Sequence, residues 1–154
     1  MKYTKKLIEE IILKSKEELD NSTSNSELVV NLNKLGYQIN TIQQNFLIEF
    51  EGFTIDFESL YDKKDRRSLS IRTQKFAREY DINLVRDYEK HLGKKLLIVG
   101  EIPQEPTDVF IAEDGSFYGC NDSFVVDYEA NSFNELLFKV MNCVRITPEI
   151  LEDE

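Results

Sequence analysis

Apolar residues recur along this chain with two different periods. Leu7, Ile8, Ile11, Ile12 and Leu19 fall near one face of a helix predicted over Thr4 to Asp20. After the polar break Asn21-Ser22-Thr23-Ser24-Asn25, helical spacing returns with Leu28, Val29, Leu32 and Leu35. Ser26 has the chemistry of an N-cap there, and Gly36 stops the helix. Phe46-Leu47-Ile48-Glu49-Phe50 and Phe53-Thr54-Ile55-Asp56-Phe57 read as the two arms of a hairpin that turns at Glu51-Gly52. Lys63 to Arg67 reads as a charged loop. A second long helix is predicted from Thr73 to His91, ending at Gly93.

The second half is strand-rich. Leu96 to Ile102 is a mostly apolar run, and Pro103 and Pro106 form the loop after it. Val109 to Glu113, Ser116 to Cys120 and Ser123 to Tyr128 read as consecutive strands, with Asp114-Gly115 and Asn121-Asp122 as turns. Asn131-Ser132 caps a last helix, on which Phe133, Leu136, Leu137, Val140 and Met141 share a face. Two-residue loops at both turns set Ala112 opposite Phe117, and Gly119 opposite both Phe110 and Phe124. One face then collects Phe110, Ala112, Phe117, Gly119, Phe124, Val126 and Tyr128, and needs helices to cover it. The other centres on Tyr118 among Val109, Ile111, Cys120 and Val125, with Glu113 and Asp127 at its margin. That composition suits a binding surface, although an ordinary half-solvated sheet face shares it. A one-residue slip of register exchanges the two faces.

Charge sharpens this picture. From Leu96 to Phe138 there is no Lys or Arg and there are nine carboxylates, whereas residues 63–95 hold eleven bases against five acids. The net charge of −10 and the acidic field over the strands repel nucleic acid and attract basic proteins. The basic run Lys63-Lys64-Asp65-Arg66-Arg67 is a weak phosphate-patch candidate that the rest of the molecule opposes. The residues expected to meet a basic partner are Tyr118 as aromatic anchor and Glu113, Asp127, Glu101, Asp108 and Asp122 as an acidic rim. One domain is expected over 1–154, with an N-terminal helix and polar break over 1–24 and an acidic tail over 146–154. Lys2, Lys5 and Lys6 lead into a helix carrying Glu9 and Glu10 rather than a secretory signal. With Cys120 and Cys143 read as free thiols, a cytoplasmic location is expected.

Catalytic chemistry is sparse. The single histidine, His91, sits at a predicted helix end, where it suits the negative end of the helix dipole. Neither cysteine has a histidine at nucleophile–base spacing, and no P-loop, GxGxxG or Cys-x-x-Cys occurs. No cofactor or metal is expected. A metal-dependent hydrolase is a third-ranked alternative, requiring three oxygen ligands to converge in one cleft.

The order Leu92-Gly93, Lys95-Leu96-Leu97-Ile98-Val99-Gly100-Glu101, Val109 to Gly119 and Asn131 to Leu137 resembles the third subgroup of the SUKH superfamily of bacterial immunity proteins. Upstream, Leu28 to Gly36-Tyr37 followed by the Phe46–Phe57 hairpin is compatible with that family's short helix and first strands. The resemblance implies an α+β fold with a mostly antiparallel sheet and helices on one face. It also implies a non-enzymatic protein that neutralises a cognate toxin domain, often a nuclease, delivered by polymorphic or contact-dependent systems; a monomer or weak homodimer is expected. Other superfamily members are intracellular interaction proteins, so an adaptor without a toxin is the alternative.

Overall fold

Capping chemistry places the helices. The computed structural model describes residues 2–19, 25–60, 64–144 and 146–151 of the chain. The expected helix end at Asp20, the break over 21–24, Lys63 and the tail beyond Leu151 lie outside these residues. Helix α1 (Lys5–Glu17) begins where the Thr4 hydroxyl accepts from the Leu7 amide at 3.1 Å, and it buries Ile8 and Ile12. Helix α2 (Asn25–Lys34) buries Leu28 and Leu32.

Helix α3 (Thr41–Phe50) takes the place of the first arm of the expected hairpin. The Asn40 side chain accepts from the Gln43 amide at 2.9 Å, and the Asn40 amide donates to Gln43 Oε1 at 3.2 Å. From that reciprocal cap Gln43, Phe46, Leu47 and Phe50 fall on one buried face, while Ile48 and Glu49 are exposed. Buried neighbours at 46 and 47 are a helical pattern, not the alternation of a strand. The second arm does form a strand, β1 (Thr54–Glu58), but its partner is β2 (Arg66–Ile71), part of which was read as loop.

The expected helix from Thr73 to His91 is two helices, α4 (Thr73–Glu79) and α5 (Ile82–Leu92). Asp81 divides them because its carboxylate accepts from the Asn83 amide at 2.9 Å and so opens a new helix. Strands β3 (Leu96–Ile102), β4 (Thr107–Ala112), β5 (Phe117–Asn121) and β6 (Phe124–Asp127), helix α6 (Phe133–Met141) and a short β7 (Glu149–Ile150) follow. The strands β1 to β7 lie in sequence order in one sheet, each pair antiparallel, so the fold is α+β.

Both hairpin registers differ from the expected ones. Ile111 pairs with Phe117 and Phe110 with Tyr118, one residue off. The Ala112 amide donates to the Ser116 carbonyl at 2.8 Å, which leaves the three-residue loop Glu113-Asp114-Gly115, and Gly115 supplies the positive φ of 88°. In the next hairpin Asn121 pairs with Phe124, so the loop is Asp122-Ser123. The first slip moves Phe110 and Ala112 onto the face of Tyr118, and Val109 and Ile111 onto the face of Phe117.

Helices consequently flank both faces of the central strands. On one side the Phe117 and Phe133 rings lie 6.4 Å apart, and Phe133 also meets Phe46, Phe50 and Phe53 at 5.6, 4.3 and 5.0 Å. On the other side Tyr80 and Tyr88 pack on Phe110 at 5.6 and 5.8 Å. The sequence suggested cover on one face only. The register slip gives the second face an apolar ring at Phe110, which α5 covers.

Candidate functional site

Opposed residues of an antiparallel pair share a face, so the register traces one polar surface across the sheet. Thr54, Asp56 and Glu58 of β1 stand opposite Ser70, Ser68 and Arg66 of β2. Ser70 is opposite Glu101, and Glu101 is opposite Asp108. Thr54 and Asp56 are exposed, and Glu58, Ser68, Ser70, Glu101 and Asp108 are half-buried. Glu58 is neutralised by Lys2 at 2.7 Å and Arg66 at 3.5 Å. The alternation of Phe53, Ile55 and Phe57 with Thr54 and Asp56 is visible in the sequence. The chemical company of Asp56 is not, because the charged run from Lys63 to Arg67 hides the start of β2 and with it the β1–β2 pairing.

The Glu101–Asp108 pair continues toward Asp122. Burial raises the Asp108 carboxyl to about 6, opposed by a hydrogen bond from the Tyr80 hydroxyl and reinforced by the nearby Glu101 and Asp122 charges. The Tyr80 and Tyr88 hydroxyls are 3.4 Å apart. Burial raises both phenols, and Tyr88 reaches about 12. Cys120, paired with Asp108 across the ladder, is a buried free thiol whose ionisation burial also opposes. Three expected rim residues, Glu101, Asp108 and Asp122, therefore interact at one end of the strands.

Glu113 and Asp127 lie elsewhere, toward the opposite end of β4 and β6, and both are exposed. Glu113 Oε1 accepts from the Lys95 amide at 3.1 Å, and Asp127 Oδ1 from the Glu129 amide at 2.8 Å. Tyr118 does not stand on an open surface. Its residue is 4% exposed. Lys94 Nζ donates to its hydroxyl at 2.7 Å, lies 5.2 Å above its ring and pairs with Asp114 at 2.8 Å. Burial alone would raise the Asp114 carboxyl, but hydrogen bonds from Lys94 and Ser116 outweigh it and bring it down to about 2. The expected anchor is thus a covered core side chain. The slip that placed Tyr118 beside Phe110 put it on the face that α5 covers.

Among the described residues, no three His, Cys, Asp or Glu side chains are grouped to hold a metal ion. His91 sits in the last turn of α5, with Nε2 3.0 Å from Glu149. Glu113, Asp122 and Asp127 are exposed carboxylates at strand ends and turns. Among the described residues no helix is long and apolar enough to cross a membrane. Residues 8–140 match the family model described as SUKH-3 immunity protein. Comparisons with curated proteins and with solved structures return no match.

Proposed function

Because the chain belongs to the SUKH-3 immunity protein family, we propose that it neutralises a cognate toxin domain by stoichiometric binding, without catalysis of its own. The toxin is a basic domain, a nuclease of a polymorphic or contact-dependent system, met in the cytoplasm of the producing cell. Supporting this reading is the base-free stretch from Leu96 to Phe138, whose Glu113, Asp122 and Asp127 are exposed at strand ends and turns. A nuclease presents cations to its polyanionic substrate. An acidic protein can be steered to that surface by long-range attraction and then cover it. Asp108 and Glu101 extend the same field onto the half-open sheet face.

The deciding experiment is co-expression with the C-terminal domain of a large secreted protein encoded beside this chain. Survival of cells that the domain otherwise kills, together with a one-to-one complex, is the expected result. Cell death despite soluble expression of both proteins would overturn the reading. Charge steering carries its own signature. Replacing Glu113, Asp122 and Asp127 by Asn or Gln together should slow association about tenfold or more at low salt, leave dissociation less affected and flatten the salt dependence.

A further inference from the structure

Strand β1 is the outermost strand at its end of the sheet. The Ile71 amide donates to the Phe53 carbonyl at 2.7 Å, and the Ser59 amide donates to the Asp65 carbonyl at 2.9 Å. Odd-numbered residues of this segment therefore turn their backbone groups toward β2. In an antiparallel ladder the direction alternates, so the N–H and C=O groups of Thr54, Asp56 and Glu58 point away from the sheet. Glu58 fixes the phase independently. Its amide donates to the Tyr3 hydroxyl at 3.2 Å, and its carbonyl accepts from that hydroxyl at 3.1 Å. There the Tyr3 side chain stands where another strand would lie, at the final residue of β1. Ahead of it, the exposed Thr54 and Asp56 present two donor–acceptor pairs about 7 Å apart, the repeat of a strand.

We infer that β1 is the docking edge for the partner, which adds an extended cationic segment of the toxin domain alongside Thr54 and Asp56. The inference rests on the immunity reading above and specifies how that partner is held. Charge selects the occupant. A second copy of this chain, paired antiparallel about Ile55 of β1, sets Asp56 opposite Thr54 with the two Asp56 carboxylates diagonal on one face, and two chains of net charge −10 repel each other. A guest strand with Lys or Arg at alternate positions sets them on the face of the exposed Asp56, Glu58 being already paired with Lys2 and Arg66. Its intervening side chains fall on the face of Ile55 and Phe57.

Amide hydrogen exchange, measured on the free chain and on its complex with the neighbouring toxin domain, tests this directly. The Thr54 and Asp56 amides should exchange rapidly in the free chain and at least about tenfold more slowly in the complex, as new hydrogen bonds require. A complex that forms while these two amides exchange as before overturns docking at β1 and leaves the immunity reading intact. If no complex forms, the immunity reading fails, and this inference with it. Asp56→Pro supplies a second test, since it deletes an outward N–H and an edge strand tolerates proline there. Asp56→Asn keeps the N–H and removes only the charge. The proline variant should retain its melting temperature within a few degrees and lose at least about tenfold in affinity, more than the asparagine variant loses. Wild-type affinity in the folded proline variant overturns the inference.

Discussion

Asp108 and Tyr118 are neighbours in function by expectation and opposites in environment. The Asp108 carboxyl rises from its ordinary 3.8 to about 6 in the folded chain. Between those values the folded protein holds a proton that the unfolded chain has released, so this group makes stability fall as pH rises through that window. Asp108→Asn should remove that slope and raise the melting temperature at pH 7. Melting curves at half-unit steps from pH 3.5 to 7 would show it, and an unchanged slope would count against the assignment. Asp114 works in the other sense. Its contribution is complete above its ordinary value of 3.8 and is lost as pH falls toward about 2. Tyr118→Ala removes a covered ring and a partner of Lys94, and should cost roughly 3–5 kcal/mol of stability in urea unfolding. The affinity of the protein that remains folded should hold, because that side chain is not on the surface a partner first meets.

Individual elements show where a one-dimensional pattern suffices. The strand over Leu96 to Ile102 and the helix opening at Ser132 follow directly from apolar runs and a cap, and both form as expected. Helix α3 is not legible in Phe46 to Phe50 alone, because the Asn40–Gln43 cap that starts it lies upstream. Gln43 also donates from Nε2 to the Ile111 carbonyl at 3.1 Å while fully buried, so it ties α3 to β4. Gln43→Ala should therefore destabilise the chain by about 1–3 kcal/mol, read from the urea midpoint, whereas the exposed Gln at an ordinary surface would cost a few tenths. Strand β2 was hidden by Arg66 and Arg67. An arginine-rich segment reads as loop until its partners are known, here Glu58 for Arg66 and Glu105 for Arg67 at 2.6 Å. The hairpin registers turned on loop length, and Asp114-Gly115 fits a three-residue loop as well as a two-residue one.

At the scale of the whole molecule, the acidic field was legible because net charge and its segregation need no register. The shape of the surface was not, since one extra loop residue moved Phe110 across the sheet and placed Tyr118 beneath Lys94. The rim divides into Glu101, Asp108 and Asp122 at one end of the strands and Glu113 and Asp127 toward the other. Each end is expected to contribute separately to steering. The edge strand adds a consequence of a different kind. In β1 the residues whose main chain faces outward, at 54, 56 and 58, are also those whose side chains avoid the core. Main-chain recognition is indifferent to the side chain that accompanies it. Such positions can be rewritten without disturbing either the interior or the backbone bonds to a guest strand. If the partner's sequence changes, that separates holding on from choosing whom to hold. Under the proposed docking at β1, attachment would be inherited with the fold, while selectivity would change one exposed side chain at a time.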